Sequence, residues 1–160
     1  MSKILATITI TSIFIFICTI INSYRVGELI IMKHQQVRDF FKEDYPRLSL
    51  LVTGCIPSAK ALTQSVSIEP NSDSRFIYYQ RVFNFTNITI NQLENTCQHP
   101  YKTIITRYYI DHFSMKDIRQ EIGYCQSTTN KKHNEALKSF AEIFKQEQIK
   151  NKVYPLLEFE

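Results

Sequence analysis

Residues 101–145 read YKTIITRYYIDHFSMKDIRQEIGYCQSTTNKKHNEALKSFAEIFK, and three helical patterns follow one another there with almost no slack. Tyr101, Ile104, Ile105, Tyr108 and Tyr109 recur at three-four spacing, the repeat of one apolar helix face. Ser114 stands where a helix N-cap belongs, with a hydroxyl able to accept from a free backbone N–H of MKDIRQEI. In that short helix Met115, Ile118 and Ile122 share a side, while Lys116, Arg119, Gln120 and Glu121 face out. Gly123 follows Ile122 directly, where a left-handed helix end favours glycine. A longer pattern starts near Gln126 and carries Ala136, Leu137, Phe140, Ala141 and Phe144 inward.

A short helix, a glycine turn and a longer helix have the order of a helix-turn-helix. The longer helix opens with QSTTNKKHN, residues 126–134, a run without an acidic residue. Its side chains are of the kinds that bond phosphate oxygens and base edges. A small helical bundle with a basic exposed turn would show the same three patterns. The absence of acids favours DNA, because an ordinary solvated helix mixes charges of both signs.

The run SMKDIRQEIGYCQSTTNKKHNEALKSFAEIF resembles region four of sigma factors and, more closely, the ArpU family of phage late-transcription regulators. That family has a tyrosine-rich helix, a short helix, a GYS turn, a basic recognition helix and then an AL..FAE segment. The matching residues here are Tyr108-Tyr109-Ile110, Asp117-Ile118 through Ile122, Gly123-Tyr124-Cys125, Lys131-Lys132, and Ala136-Leu137 with Phe140-Ala141-Glu142. Cys125 stands in place of the usual serine. A thiol is a poor cap, so Ser127 or Thr128 is expected to support the start of the helix instead. His133 and Asn134 make this helix less basic than is usual in the family. Upstream, MKHQQVRDFFKEDYPRLSLLV, residues 32–52, resembles the family's amino-terminal segment more loosely.

The resemblance implies a sequence-specific regulator of late genes in a phage or prophage of a Gram-positive bacterium, working in the cytoplasm on double-stranded DNA. The helix from Gln126 would enter the major groove, with Gln126, Ser127, Thr129 and Asn130 expected at base edges. Lys131, Lys132 and His133 are expected nearer phosphates. Lys116 and Arg119 of the short helix are the expected phosphate contacts where it crosses the backbone. RNA polymerase and a second copy of the chain are further partners compatible with this reading. The rival is an interaction protein, membrane-tethered or polymerase-binding, whose sigma-like module does not itself read DNA.

Residues 1–31 are of a different character. Ile4 to Tyr24 carries no charge and is long enough to be a membrane-span candidate. It lacks the small-residue cleavage site of a signal peptide. Three readings compete: a transmembrane anchor, a core element of the domain, and a translated leader from an over-extended gene start. The last is favoured, because Met32 begins the family-like part and the codons of Gly27 and Glu28 are purine-rich, as a ribosome-binding sequence is. Were the anchor real, Arg25, Lys33, Arg38 and Lys42 would follow it and only Lys3 precede it, which keeps the downstream domain in the cytoplasm. Only in that case is the membrane a partner.

The 160 residues allow one domain with a small satellite, and a formal charge of +4 is too mild to argue for nucleic acid by itself. Cys18, Cys55, Cys97 and Cys125 are scattered, as are His34, His99, His112 and His133, and none has zinc-ligand spacing. With three glycines there is no phosphate-cradling loop, and the acidic clusters that recombinases need for metal are missing. No enzyme, metal or cofactor is therefore expected.

The expected fold is all-α: a small helical domain ending in the helix-turn-helix, preceded by a separate N-terminal helical segment. Residues 32–63 form that segment, with Val37, Phe40 and Phe41 on one side and a break at Tyr45-Pro46, since the residue before proline avoids helical geometry. Gly54 to Pro57 makes a further break, and Ser58 to Gln64 a short helix. Residues 64–75, QSVSIEPNSDSR, are the linker candidate. Residues 76–148 hold the DNA-binding domain. Its aromatic start, Phe76 to Phe85, is read as a core helix in preference to a platform for single-stranded bases, the alternative that Arg75 and Arg81 suggest. Thr89 to His99 is expected as another short helix, with Pro100 opening the next. Residues 149–160 are a tail that either straps back onto the domain, frays, or hooks a partner.

Overall fold

In the computed structural model, residues 34–59, 61–63, 65–68 and 73–159 are described; the leader or anchor expected at 1–31 lies outside them. The chain enters as helix α1, 34–39, passes into a π-helical turn at Phe40–Asp44, and continues as α2, Tyr45–Thr53. A 3-10 turn at Ala61–Thr63 leads to α3, Ser74–Gln92. Helix α4, Tyr101–Ile105, runs into a second π turn, Thr106–Ile110. Then come α5, Met115–Ile122, and α6, Gln126–Lys150. The described residues hold no strand, only an isolated bridge between Asn95 and Pro100, so the fold is all-α.

Each π turn holds two consecutive buried residues. Phe40 and Phe41 are both in the core, as are Tyr109 and Ile110. In the first turn the Tyr45 N–H donates to the Phe40 carbonyl, and in the second the Asp111 N–H donates to the Thr106 carbonyl. The wider turn brings neighbouring side chains onto one face. It also removes the expected break at Tyr45-Pro46. Tyr45 keeps helical angles, φ −63° and ψ −42°, and Pro46 sits in the first turn of α2, where its missing N–H is tolerated. The chain stops at Gly54, which is left-handed at φ 71°.

Residues 34–63 are not a separate segment. His34–Phe159 form one compact unit, and the first helix supplies the middle of its core. The Phe41 ring lies 4.6 Å from that of Phe140 and stacks at 4.9 Å on Tyr109, while Tyr45 stacks on Phe83 at 5.8 Å. Such pairs add about 0.5–1.5 kcal/mol each beyond the area they bury. The Tyr45 hydroxyl donates to Asn87 Oδ1 at 2.7 Å, which satisfies a phenol that burial would otherwise penalise.

The linker expectation at 64–75 also changes, though residues 64 and 69–72 lie outside the described set. Asn84 of α3 clamps Val66, accepting from its N–H at 3.0 Å and donating to its carbonyl at 2.8 Å. Asn91 holds the Leu62 carbonyl in the same way, at 2.8 Å. Val66 and Leu62 are therefore fastened to α3. Asp73 caps that helix by accepting from the Arg75 N–H. α3 runs on to Gln92 without the expected break near Thr89, because Thr86, Asn87, Thr89 and Ile90 continue its buried face. Leu93 to His99 is a turn, not a helix.

The tail beyond α6 straps back. Buried Gln148 accepts from the Leu157 N–H at 2.9 Å and donates to the Leu157 carbonyl at 3.0 Å. Phe159 meets the Phe40 ring at 5.4 Å and the Phe144 ring at 5.7 Å.

Candidate nucleic-acid interface

Ser114 is extended, and its Oγ accepts from the Asp117 N–H at 3.2 Å, which sets the start of α5. Ile118 fixes that helix to the core. Gly123 ends it at φ 72°, with its N–H on the Arg119 carbonyl. Three residues later α6 begins, as the sequence pattern predicts, at Gln126. Cys125 is its extended N-cap residue and makes no side-chain cap bond. Its sulfur lies 3.3 Å from Ser127 Oγ and 3.2 Å from Thr128 Oγ1. Hydrogen bonds from these two hydroxyls pull the thiol down to a pKa of about 7.

The two helices enclose a cleft of about 280 Å³, lined by Met115, Lys116, Arg119, Gln126, Thr129 and Asn130. The structure therefore brings together five of the expected polar contacts, Lys116, Arg119, Gln126, Thr129 and Asn130, of which all but Thr129 are open to solvent or half-buried. Gln126, Ser127, Asn130 and Lys131 are exposed and follow one another along one stripe of α6. Among the described residues Lys116, Arg119 and Lys131 form no ion pair.

Three expected contacts are taken up by the protein itself. Thr129 is 1% exposed, and its hydroxyl donates to the Cys125 carbonyl at 3.0 Å, so it closes the first turn of α6 instead of facing a base. His133, four residues on, is 6% exposed and lies on the same inward face. Its Nε2 is 3.0 Å from the Tyr109 hydroxyl. Burial, helped by Arg38, His34 and Lys42, lowers its pKa to about 4, so the ring is neutral at pH 7 and brings no charge to a phosphate. Lys132 is turned onto the protein: its Nζ reaches Glu135 Oε2 at 3.0 Å and lies 5.9 Å over the Tyr101 ring. The helical period sends 129, 133, 136 and 140 inward, and a run selected by composition alone hides that division.

Arg38 and Lys42 were missed. Arg38 Nη2 donates to Asn134 Oδ1 at 2.7 Å, which lays α1 beside the exposed stripe of α6. Their spacing of four on the polar side of an amphipathic helix was the available signal, but it could not say which helix they adjoin.

Among the described residues no three His, Cys, Asp or Glu side chains gather as a metal site requires. No described helix is long and apolar enough to cross a membrane. No protein-family model matches the chain, and neither a curated protein nor a solved structure does.

Proposed function

We propose that this chain is a sequence-specific DNA-binding transcription regulator of the kind its resemblance to the ArpU family implies. α5, the Gly123 turn and α6 act as a helix-turn-helix, and the first turns of α6 enter the major groove. The observation that carries the reading is the acid-free exposed stripe of Gln126, Ser127, Asn130 and Lys131, with Lys116 and Arg119 across the cleft. Gln126 and Asn130 carry amides of the type that pairs with adenine through two hydrogen bonds. Ser127 has a hydroxyl suited to either a base or a phosphate. Lys116, Arg119 and Lys131 supply charge to the phosphate rows and set the register.

The test is a salt titration of duplex binding with fragments from the chain's own genomic neighbourhood. Saturable binding to one fragment, above competitor and steeply weakened by salt, is the expected result. Gln126→Ala and Asn130→Ala should relax the preference between fragments. Binding without preference even at low salt would end the reading.

A protein-binding module is the second reading. It is favoured by an apolar cleft on other elements, where Leu48, Leu51, Tyr79 and Leu157 come together and Leu51 stays half exposed. RNA polymerase retained by a chain that ignores duplex DNA would support it.

A further inference from the structure

We propose that a second cleft, between α6 and the stretch formed by α1 and the π turn after it, is a phosphate site, and that Arg38 and Lys42 hold a backbone phosphate of the duplex there. The inference rests on α6 being the DNA-reading helix and extends the interface to an element that reading leaves idle.

The cleft is about 390 Å³ and is lined by Arg38, Lys42, Tyr108, His133, Asn130 and Asn134, among others. It shares Asn130 and Met115 with the cleft between α5 and α6, so the two adjoin at the exposed stripe. Arg38 is held in place by its bond to Asn134. Its Nε–H is buried and has no acceptor among the described residues. Burying a charged donor without an acceptor is costly, so the protein itself leaves the Arg38 guanidinium short of a partner. Neither Arg38 nor Lys42 pairs with a described carboxylate. Asp39, next to Arg38, is engaged by Gln35 Nε2 at 2.7 Å.

The cations nearest the cleft are Arg38 and Lys42, and Asp39 also bears on Tyr109 in its wall. Arg38, His34 and Lys42 all bear on His133, and Arg38 and Lys138 bear on His34. Lys138 meets Glu142 only at 3.9 Å, with both side chains well exposed. A helix seated in the major groove lies between two rows of phosphates. Lys116 and Arg119 line the first cleft and Arg38 and Lys42 the second, and the two clefts follow one another along α6, meeting at Met115 and Asn130.

Salt titrations of the full chain on the duplex fragment it prefers test the site. Each lost phosphate contact lowers the log–log salt slope by about 0.9. Lys42→Gln is expected to lower it by about one, and Arg38→Gln with Lys42→Gln by about two, with the same fragment still preferred. Unfolding curves of the variants control for folding, and Lys42→Gln decides the matter if the Arg38 change loosens α1. An unchanged slope in Lys42→Gln, while Lys131→Ala still lowers it, overturns the site and leaves the reading of α6 standing. A wild-type chain without fragment preference or salt dependence overturns both. A titration with inorganic phosphate separates the remaining source: saturable binding lost in Lys42→Gln, with an unchanged DNA slope, assigns the cleft to free phosphate and overturns the backbone contact.

Discussion

The Tyr109 hydroxyl and Nε2 of His133 stand 3.0 Å apart inside the core, joining the π turn after α4 to the first half of α6. The pair makes stability depend on pH. His133 has a pKa of about 4 when folded, against 6.5 for the free side chain. Between those values the unfolded chain holds the extra proton, so stability is complete above pH 6.5 and drains away as the pH falls toward 4. His34, also lowered by burial and by Arg38 and Lys138, acts in the same direction. The His133 contribution is on the order of 3 kcal/mol at full extent. Urea unfolding between about pH 7 and about pH 5 should show the midpoint falling. A flat profile over that range would mean that His133 takes up its proton without leaving the core.

Tyr109→Phe removes the hydroxyl and leaves a buried ring nitrogen short of a partner. The expected loss is about 1–3 kcal/mol in urea unfolding near neutral pH. A loss near zero would show that His133 finds another partner within the core.

Gly123 isolates backbone strain from packing. It sits at φ +72°, and a Cβ built there would meet no heavy atom within 4 Å. Gly123→Ala should therefore destabilise by about 1 kcal/mol through conformation alone, and Gly123→Asn by less. Urea unfolding of the two variants checks the order. Equal losses would point to a cause other than the left-handed angle.

What the sequence made legible here followed local rules. Ser114 as cap, Gly123 as left-handed stop and Gln126 as helix start are each decided within one turn of chain, by hydrogen bonds and φ alone. The apolar periods around Ile104, Ile118 and Phe140 likewise need only spacing. What failed depended on distant partners. Tyr45-Pro46 reads as a break until the π turn before it is known, in which Phe40 and Phe41 both meet Phe140. Asn84 looks like any polar residue on a helix, yet it fastens Val66, eighteen residues away. In the same way Thr129 and His133 belong chemically with the polar run around them, and only the core built by Tyr109 and Phe41 claims them.

Gln148 carries the tail on two bonds to Leu157, at 2.9 and 3.0 Å. Gln148→Leu keeps the volume and removes both. Leu157 would keep an N–H and a carbonyl short of their partners, a loss of about 1–3 kcal/mol. Thermal unfolding reads the stability, and limited proteolysis reads whether residues 152–159 have come loose. Wild-type stability with an uncut tail would show that Phe159 against Phe40, Phe140 and Phe144 suffices to hold the strap.

Lys131 and Lys132 are neighbours with opposite tasks. Lys131 is exposed and forms no ion pair among the described residues. The Lys132 side chain is 17% exposed and shares Glu135 Oε2 with the Tyr101 hydroxyl, each at 3.0 Å. Under the DNA-binding reading, Lys131→Ala should lower the salt slope by about 0.9 and weaken all fragments alike. Lys132→Ala should leave the slope where it is and cost up to about 1 kcal/mol of stability, because it removes a partly buried pair instead of a phosphate contact. Paired salt titrations and urea unfolding of the two variants decide between the tasks. If the slope responded to Lys132 and not to Lys131, α6 would have to meet the duplex through its Tyr101 side, and the stripe from Gln126 to Lys131 would not be the reading face.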